Sequence, residues 1–336
     1  MERQYVWGMS LMVATVIFSG CSTEIGNLGE YKLSTLQKAM NMPSQKQLTN
    51  TKASKIIIMN IDDNNIGTAK NAQLGKGMAV HINKELAENK NVRVVKRVSS
   101  SNYEQIMNKE IKAAELAREI GEDVGAADYL VTGQISNASY SHEFSEGYYY
   151  DTDDGRKYSP PKIDYKACVQ GTLKVFALPE LKEKESKGFD KCETYSEEAR
   201  SPSDAKRSNN SLVRKAGNNA MHAASFGLKN FFTKKGYIVE KRKKDDEVII
   251  RVMLGSKQGA KHNEDVKIYT VENVTNPLTG ETSKAGVLIG TGVISEKVTV
   301  ADSWIVVDEI QEGKKLHLGD YIKIQYEQGW LDGVMH

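Results

Sequence analysis

The sequence predicts an α/β (α+β) domain over residues 51–236, followed by a small all-β barrel over residues 237–330. The first prediction rests on strand patterns that alternate with helical patterns, because such helices have a sheet on which to pack. The second rests on a change after Gly236, where only short strand patterns remain and turn residues separate them. A third observation, an apolar N-terminal segment that ends at a cysteine, indicates where the protein works.

Residues 1–20 have the composition of a secretory signal peptide. Arg3 supplies a positive charge, an apolar run covers residues 5–18, and small residues precede Cys21. The apolar run is too short to span a membrane as a mature helix. A cysteine at this place resembles the lipobox of bacterial lipoproteins. An uncleaved anchor helix and an ordinary cleaved signal are the alternatives.

The lipobox resemblance implies that Cys21 carries several acyl chains, which together anchor a protein stably. Ser22 follows, whereas Asp at that position marks inner-membrane retention in lipoproteins, so the resemblance implies the periplasmic face of the outer membrane. Residues 21–50 hold few apolar side chains and are predicted to form a lipidated tether, with a short helix around residues 33–40. An ordered arm that packs on a neighbouring subunit is the alternative.

Composition narrows the classes of activity and partner. The chain has 46 Lys and Arg against 44 Asp and Glu, a formal net charge of +2, so no basic field predicts a nucleic-acid partner. The sequence contains no Walker loop, no Gly-x-Ser-x-Gly and no His-Glu-x-x-His. We therefore predict a protein that is not an enzyme and has no catalytic residues, no metal site and no cofactor.

Two features contain metal-binding residue types but favour other interpretations. Residues 151–155, Asp-Thr-Asp-Asp-Gly, lack the alternate spacing and the final Glu of a calcium loop, which favours a solvated turn. His222 lies within a predicted helix and is interpreted as a surface or packing residue. The other histidines are scattered along the chain.

The elements of the first domain follow from the spacing of apolar residues. Residues 55–61 form a nearly continuous apolar run, as in a strand that is buried on both faces. Leu74, Met78, Ile82 and Leu86 recur every four residues, which is typical of one face of a helix. The same criteria predict strands at 91–96, 126–135 and 167–177 and helices at 70–89, 102–121 and 211–235, with Gly236 as a left-handed cap.

The rest of the chain is either more polar or consists of shorter strand patterns. Residues 137–165 are polar and aromatic and are interpreted as exposed loop. A turn at residues 178–182 and a returning strand at 184–195 complete a hairpin with the strand at 167–177. The strands of the barrel are predicted at 248–254, 265–269, 287–295, 304–308 and 321–326.

Cys168 and Cys192 lie at equal distances from Glu180, the middle of the predicted turn. In a regular antiparallel hairpin they face each other directly, at a separation that a disulfide can close. A compartment outside the cytoplasm favours the bond. We therefore predict a Cys168–Cys192 disulfide, with two free thiols in a slipped register as the alternative.

The order of elements in residues 50–235 resembles the CsgG family of outer-membrane lipoproteins and, more loosely, the N-terminal domain of TolB. The most specific part is Gly-Ala-x-x-Tyr-x-x-x-Gly-x-Ile at residues 125–135, preceded by a Val-Val-x-Arg strand at 94–97. After Gly236 the chain is similar to the small SH3-like barrel of flagellar T-ring proteins, through Leu-x-x-Gly-Asp-x-x-Lys at residues 316–323.

This resemblance implies subunits that assemble side by side into a ring. Family members that secrete curli build a pore from transmembrane hairpins, but the corresponding segment here, residues 182–207, is dense in charge. Because a lipid-facing charge near the bilayer midplane costs about 2–4 kcal/mol, we predict that the fold is kept and the pore is absent. The predicted function is a non-enzymatic scaffold or assembly subunit of a secretion, surface-fibre or flagellar apparatus. A secretion channel and a lipoprotein activator of a peptidoglycan synthase are the alternatives.

The interaction candidates are amphipathic tyrosines and the lysines of a charged arm. Tyrosine is enriched in contact surfaces, although packing of this loop on its own sheet is the alternative. The expected partners are the outer membrane through the lipid, other envelope proteins and further copies of this chain. The candidate residues are Tyr148, Tyr149, Tyr150, Lys182, Lys184 and Lys187.

Overall fold

The computed structural model describes residues 23–48, 52–95, 103–120 and 125–328. In these ranges the α-helices are α1 (Gln45–Leu48), α2 (Gly67–Asn71), α3 (Leu74–Ala87), α4 (Tyr103–Ile120) and α5 (Asn210–Phe232). The first eight strands are β1 (Lys32–Ser34), β2 (Ser54–Ile58), β3 (Val92–Val94), β4 (Tyr129–Ser145), β5 (Tyr148–Thr152), β6 (Gly155–Ser159), β7 (Lys162–Ala177) and β8 (Lys182–Glu198). The remaining strands are β9 (Gly236–Lys244), β10 (Glu247–Met253), β11 (Asp265–Thr275), β12 (Thr282–Val298), β13 (Ser303–Ile310) and β14 (Tyr321–Ile324).

The first half of the chain is built on a mixed five-stranded sheet with the order β3-β2-β4-β7-β8. β2 runs parallel to β3 and β4, whereas β4, β7 and β8 are antiparallel to one another. One side of the sheet is covered by α3 and α5, through side chains such as Met78 and Leu228. α4 lies on the other side, where Met107 packs on a smaller cluster that contains Ile57 and Leu130.

Strands β4, β7 and β8 form a long antiparallel ribbon, with 17, 16 and 17 residues. β2 pairs with β4 only at Tyr129–Val131, and a single further bridge joins Asp62 to Gln134. Beyond that point the three strands continue as a ribbon of their own. The hairpin β5–β6 follows at its far end and turns at residues 153–154.

The second half of the chain forms a sheet that closes on itself. Its order is β1-β9-β10-β13-β12-β11-β14, and β14 pairs back with β9 through Ile322 and Gly236. Branched aliphatic side chains, including Ile250 and Ile268, fill the interior. β1 pairs with residues 241–243 on the same edge of β9, so it covers the part of that edge that β14 does not reach.

The predicted combination of a CsgG/TolB-type α/β domain and an SH3-like barrel is wrong. The protein is mostly β, with 45% strand and 24% helix. The first half is dominated by three long antiparallel strands rather than by alternating strand–helix units, and the second half is one closed sheet with β1 added to it. The physical reason is that the polar segment at 137–165 pairs along most of its length, which lengthens two predicted strands into a hairpin.

The structure confirms the predicted hairpin turn and contradicts the predicted helix cap. The turn at residues 178–182 and the returning strand are confirmed, because β8 pairs with β7 along its whole length. Gly236 is not a helix cap, since α5 ends at Phe232 and Gly236 is a buried residue of β9. A Cβ at Gly236 would lie 2.6 Å from Cβ of Leu254, so the close approach of two strands explains this glycine.

Residues 23–43, which were predicted to be part of a tether, lie against the closed sheet. Ile25 is fully buried in a cluster with Tyr31 and Trp304. Its backbone N–H donates a 2.8 Å hydrogen bond to the carboxylate of Glu296. Where a short helix was expected, β1 pairs with β9.

The predicted acylation site, Cys21, and the signal segment before it lie outside the described residues. In the parts of the chain that the structure describes, no helix combines the length and the apolar character needed to span a bilayer.

Asn230, near the end of α5, joins the two halves of the molecule. Its side-chain amide donates to the backbone oxygen of Tyr326 at 3.0 Å and accepts from the backbone N–H of Tyr326 at 2.7 Å. Its backbone oxygen accepts a 2.7 Å hydrogen bond from Lys323 Nζ. Lys90 Nζ adds a 3.2 Å hydrogen bond to the backbone oxygen of Ser256. The helical layer of the first half therefore contacts the closed sheet through specific hydrogen bonds.

Candidate functional site

The predicted disulfide is present. Cys168 of β7 lies directly opposite Cys192 of β8, with Cα atoms 4.0 Å apart. The register centred on Glu180 holds over this part of the hairpin and shifts by one residue only nearer the turn, between Val175 and Phe176. The bond therefore joins the last two strands of the ribbon near the middle of their length.

Replacing both Cys168 and Cys192 by serine is expected to lower the free energy of unfolding by about 2 to 3 kcal/mol, because the bond restricts the unfolded chain. Urea unfolding of the oxidised wild type and of the double variant measures the difference, with reduced wild type as the control. Peptide mapping without reductant should recover the pair. Two thiols that alkylate freely in the native protein would contradict this prediction.

The ribbon has one buried face and one open face. Alternate residues of β7, including Ile163, Val169 and Val175, are fully buried on the side that α5 covers. The opposite face presents polar and charged side chains that are exposed or partly exposed on all three strands. These are Thr132, Gln134, Ser139, Ser141, Lys166, Gln170, Thr172, Ser186, Thr194 and Ser196.

Three tyrosines stack across the ribbon on its buried side. The ring centroid of Tyr165 lies 6.0 Å from that of Tyr140 and 6.1 Å from that of Tyr195, one ring on each strand. Glu197 accepts 2.6 Å hydrogen bonds from the Tyr165 hydroxyl and from Lys206 Nζ. The hydrogen bond to Glu197 raises the pKa of Tyr165. This network holds the segment after β8 on the far part of the ribbon.

Tyr148, Tyr149 and Tyr150 lie on β5 rather than in a loop. Their exposed fractions are 58%, 63% and 43%, so the hairpin displays them to solvent. The ring of Tyr149 lies 4.8 Å from that of Tyr158 on β6, and Arg156 stacks over Tyr149 at 4.8 Å from its centroid. The structure thus places the three predicted contact residues on an exposed, aromatic hairpin.

The three candidate lysines lie at the start of β8 and differ in their surroundings. Lys182 and Lys184 are exposed. Lys187 pairs with Glu185 at 3.2 Å, and its side-chain stem lies about 3.0 Å from the place that a Cβ at Gly227 of α5 would occupy. Lys187 therefore packs on α5, and only the other two lysines are free to meet a partner.

Two long strand edges of the ribbon remain open in the described residues. β8 is the last strand in its sheet and pairs only with β7. β4 pairs with β7 alone from residue 136 onward, because its contacts with the β2 segment end at Gln134 and Ile135. Open edges present unpaired backbone groups that can add another strand, and charged residues restrict which strand can be added.

Helices α3 and α5 bring together three side chains that the sequence did not connect. His81 and Glu85 lie one helical turn apart on α3, and His222 faces them from α5. One nitrogen or oxygen atom from each residue lies within 4.8 Å of the others. Glu85 Oε1 is 3.0 Å from His222 Nδ1 and 3.7 Å from His81 Nε2. His222 is therefore part of a partly buried polar cluster between two helices.

The second oxygen of Glu85 has different partners. Lys229 Nζ donates to Oε2 at 2.7 Å, and Ser225 Oγ lies 3.4 Å from it. Ser225 Oγ also donates to the backbone oxygen of His222 at 2.7 Å. Burial opposes the ionisation of Glu85, but the hydrogen bonds from Lys229 and His222 hold its pKa at about 2. The carboxylate is therefore ionised, and each oxygen has its own set of neighbours.

The cluster opens onto a groove of about 560 Å³ between α3 and α5. Lys84, Arg214 and Lys215 line the groove together with the amides of residues 218–219. Lys215 Nζ lies 3.4 Å from the carboxylate of Glu193. Among its charged side chains the groove carries more positive than negative ones, which favours negatively charged small molecules.

The sequence contained part of the signal for this cluster. The spacing His-x-x-x-Glu at residues 81 and 85 places both side chains on one face of a helix. The third member lies 137 positions from Glu85, and only the packing of α5 on α3 brings it close.

No protein-family model matches the chain, and no curated protein matches it. Parts of it resemble solved structures, among them the following three. The hypothetical protein CT253 from Chlamydia trachomatis is 11% identical, covers 54% of this chain and 98% of its own, and has a TM-score of 0.28. A PelC dodecamer from Paraburkholderia phytofirmans is 12% identical, with coverages of 56% and 93% and a TM-score of 0.22.

The third structure is a putative neuraminyllactose-binding hemagglutinin homolog from Helicobacter pylori. It is 12% identical, covers 59% of this chain and 90% of its own, and has a TM-score of 0.28. None of the three is described as a CsgG-family or flagellar T-ring protein. Superpositions this weak support no conclusion about the function of this chain.

Proposed function

We propose that this protein is a lipoprotein at the periplasmic face of the outer membrane, where it acts as a non-enzymatic assembly subunit of an envelope machine. The machine is a secretion, surface-fibre or flagellar apparatus. Cys21, after a short apolar run and two small residues, supports the anchor. The long ribbon with its open strand edges supports the assembly role.

The single observation that carries the assembly role is the β8 edge. This strand has 17 residues, ends its sheet and alternates lysine with glutamate at its start. Long edges that are left open invite the addition of strands from other chains, and charge restricts this to complementary partners. Lys182 and Lys184 stand at the exposed beginning of this edge.

The two open edges of the ribbon also support self-assembly. The β8 edge and the outer β4 edge are different surfaces of one subunit. Contact between the first edge of one copy and the second edge of the next is head-to-tail, and such contacts close into rings when the rotation permits. The exposed tyrosines of β5 lie at the same end of the ribbon as the outer part of β4 and would contribute to this contact.

Reversal of two charges tests the proposal. The double variant Lys182→Glu, Lys184→Glu should stay folded and membrane-bound but lose its large complexes when solubilised membranes are separated by native electrophoresis, because such charges orient association. The double variant Lys109→Glu, Lys112→Glu on α4 makes the same change in charge elsewhere and should keep the complexes.

The anchor is tested in the same membranes. Cys21→Ala should abolish labelling by a radioactive fatty acid and release the protein into the soluble periplasmic fraction, because the acyl chains hold it. Complexes of unchanged size in the double variant Lys182→Glu, Lys184→Glu would contradict the assembly role. Membrane retention and labelling of Cys21→Ala would contradict the anchor.

A further inference from the structure

We infer that His81, Glu85 and His222 form a binding site for a single zinc ion between α3 and α5. The site is separate from the ribbon and does not depend on the assembly role. The inference rests on the donor atoms, on the way the glutamate is held and on the groove beside it.

The donor atoms lie at spacings that suit a zinc ion. In a tetrahedral site with bonds of about 2.1 Å, two ligand atoms are about 3.4 Å apart. Glu85 Oε1 lies 3.0 Å from the nearer nitrogen of His222 and 3.7 Å from that of His81, so the two distances bracket the expected value. All three ligand atoms lie within 4.8 Å of one another, so small rotations of side chains would gather them around one ion.

The glutamate is oriented as metal-binding carboxylates are. Its Oε1 atom faces the two imidazoles, whereas Lys229 Nζ donates a 2.7 Å hydrogen bond to its Oε2 atom. Hydrogen bonds to the non-ligating oxygen fix the direction of the ligating one, and such outer partners commonly tune metal affinity. The positive charge of Lys229 lies beside the proposed ion site and repels a cation there. Lys229 therefore weakens zinc binding while it holds the carboxylate of Glu85 in place.

The ligand set indicates the class of metal. Two imidazoles and one carboxylate suit zinc and other first-row transition ions. Calcium and magnesium prefer sites made of oxygen ligands, which a single carboxylate does not provide. Three protein ligands leave a fourth position, and here it opens onto the groove lined by Lys84 and Arg214. Water or a small anion from that groove would complete the coordination.

Titration of Zn²⁺ into the full-length, chelator-treated, detergent-solubilised protein without a histidine tag tests the site. We expect saturable binding of one ion per chain. His81→Gln and His222→Gln should each weaken binding by at least about tenfold, because each removes one of three ligands. His142→Gln changes an exposed histidine of the ribbon and should leave the affinity unchanged.

Lys229→Gln makes the test more specific. Glutamine can still donate a hydrogen bond to Glu85 but carries no charge, so Zn²⁺ should bind about tenfold more tightly. An ion held elsewhere on the protein would not respond to this change. X-ray absorption of the zinc-loaded wild type should show two imidazole ligands, and this measurement needs no variant to fold.

Four results would overturn the inference. The first two are the absence of saturable binding by the wild type and an affinity that is the same in both histidine variants as in the wild type. The third is a zinc environment without two imidazoles. The fourth is an affinity unchanged in Lys229→Gln, which would place the ion away from Glu85.

Discussion

Replacing Gly171 by alanine is expected to lower the free energy of unfolding by about 3 kcal/mol, because the added methyl group has no space. Gly171 lies in β7 on the buried side of the ribbon. A Cβ there would stand 2.2 Å from the backbone oxygen of Gln134 and 2.4 Å from the ring of Phe189. The first contact involves backbone, so the strand itself would have to move.

The neighbouring strand supplies a matched control. Gly188 of β8 lies one register position from Phe189, the partner of Gly171, and the nearest atom to a Cβ there is 4.0 Å away. Gly188→Ala should change stability by less than about 0.5 kcal/mol. Urea unfolding followed by circular dichroism compares both variants with the wild type. Equal effects of the two substitutions would show that the close packing of β4, β7 and β8 is not as described.

Replacing Glu85 by glutamine should destabilise the metal-free protein by about 3 kcal/mol, because Lys229 is left with its charge largely buried and uncompensated. The two side chains are only 15% and 14% exposed. Glu183→Gln is the matched control. Glu183 makes an ion pair with Lys174 at 2.9 Å, but both side chains are more than 40% exposed, so its removal should cost less than about 1 kcal/mol.

The contribution of Glu85 to the free energy of unfolding depends on pH. Its pKa in the folded protein is about 2, below the ordinary value of 4.5. A lowered pKa means that the ionised form stabilises the fold above the ordinary value and that this contribution is lost as the pH falls towards 2. The difference in free energy of unfolding between wild type and Glu85→Gln should therefore be full at neutral pH and shrink below pH 4.5. A difference that stays constant down to pH 2 would contradict the ion pair.

The short strands, the long helices and the disulfide were accessible from the sequence, because each depends on local spacing. Leu74, Met78 and Ile82 line the buried side of α3 as their periodicity indicates. Cys168 and Cys192 pair because a hairpin preserves the symmetry about its turn.

The fold class and the cluster of His81, Glu85 and His222 were not accessible from the sequence, for different reasons. The far part of the ribbon has one face of serine, threonine and charged residues, and its other face carries tyrosines such as Tyr140 and Tyr165, so alternation is hard to see from hydropathy. Pairing across β4, β7 and β8 supplies the order that the local pattern lacks. His222 joins His81 only through packing between distant helices, and no local pattern encodes that contact.

The burial of Ile25 sets the length of the linker between the lipid anchor and the folded protein. If Cys21 is acylated, three residues separate it from the fully buried Ile25, and the four Cα–Cα steps between them span at most about 14 Å when extended. The closed sheet would then lie close to the lipid headgroups and could adopt few orientations relative to the membrane. The folded body, rather than a flexible linker, would then set the position of the long strands. Partners would meet these strands at a fixed height and angle above the membrane.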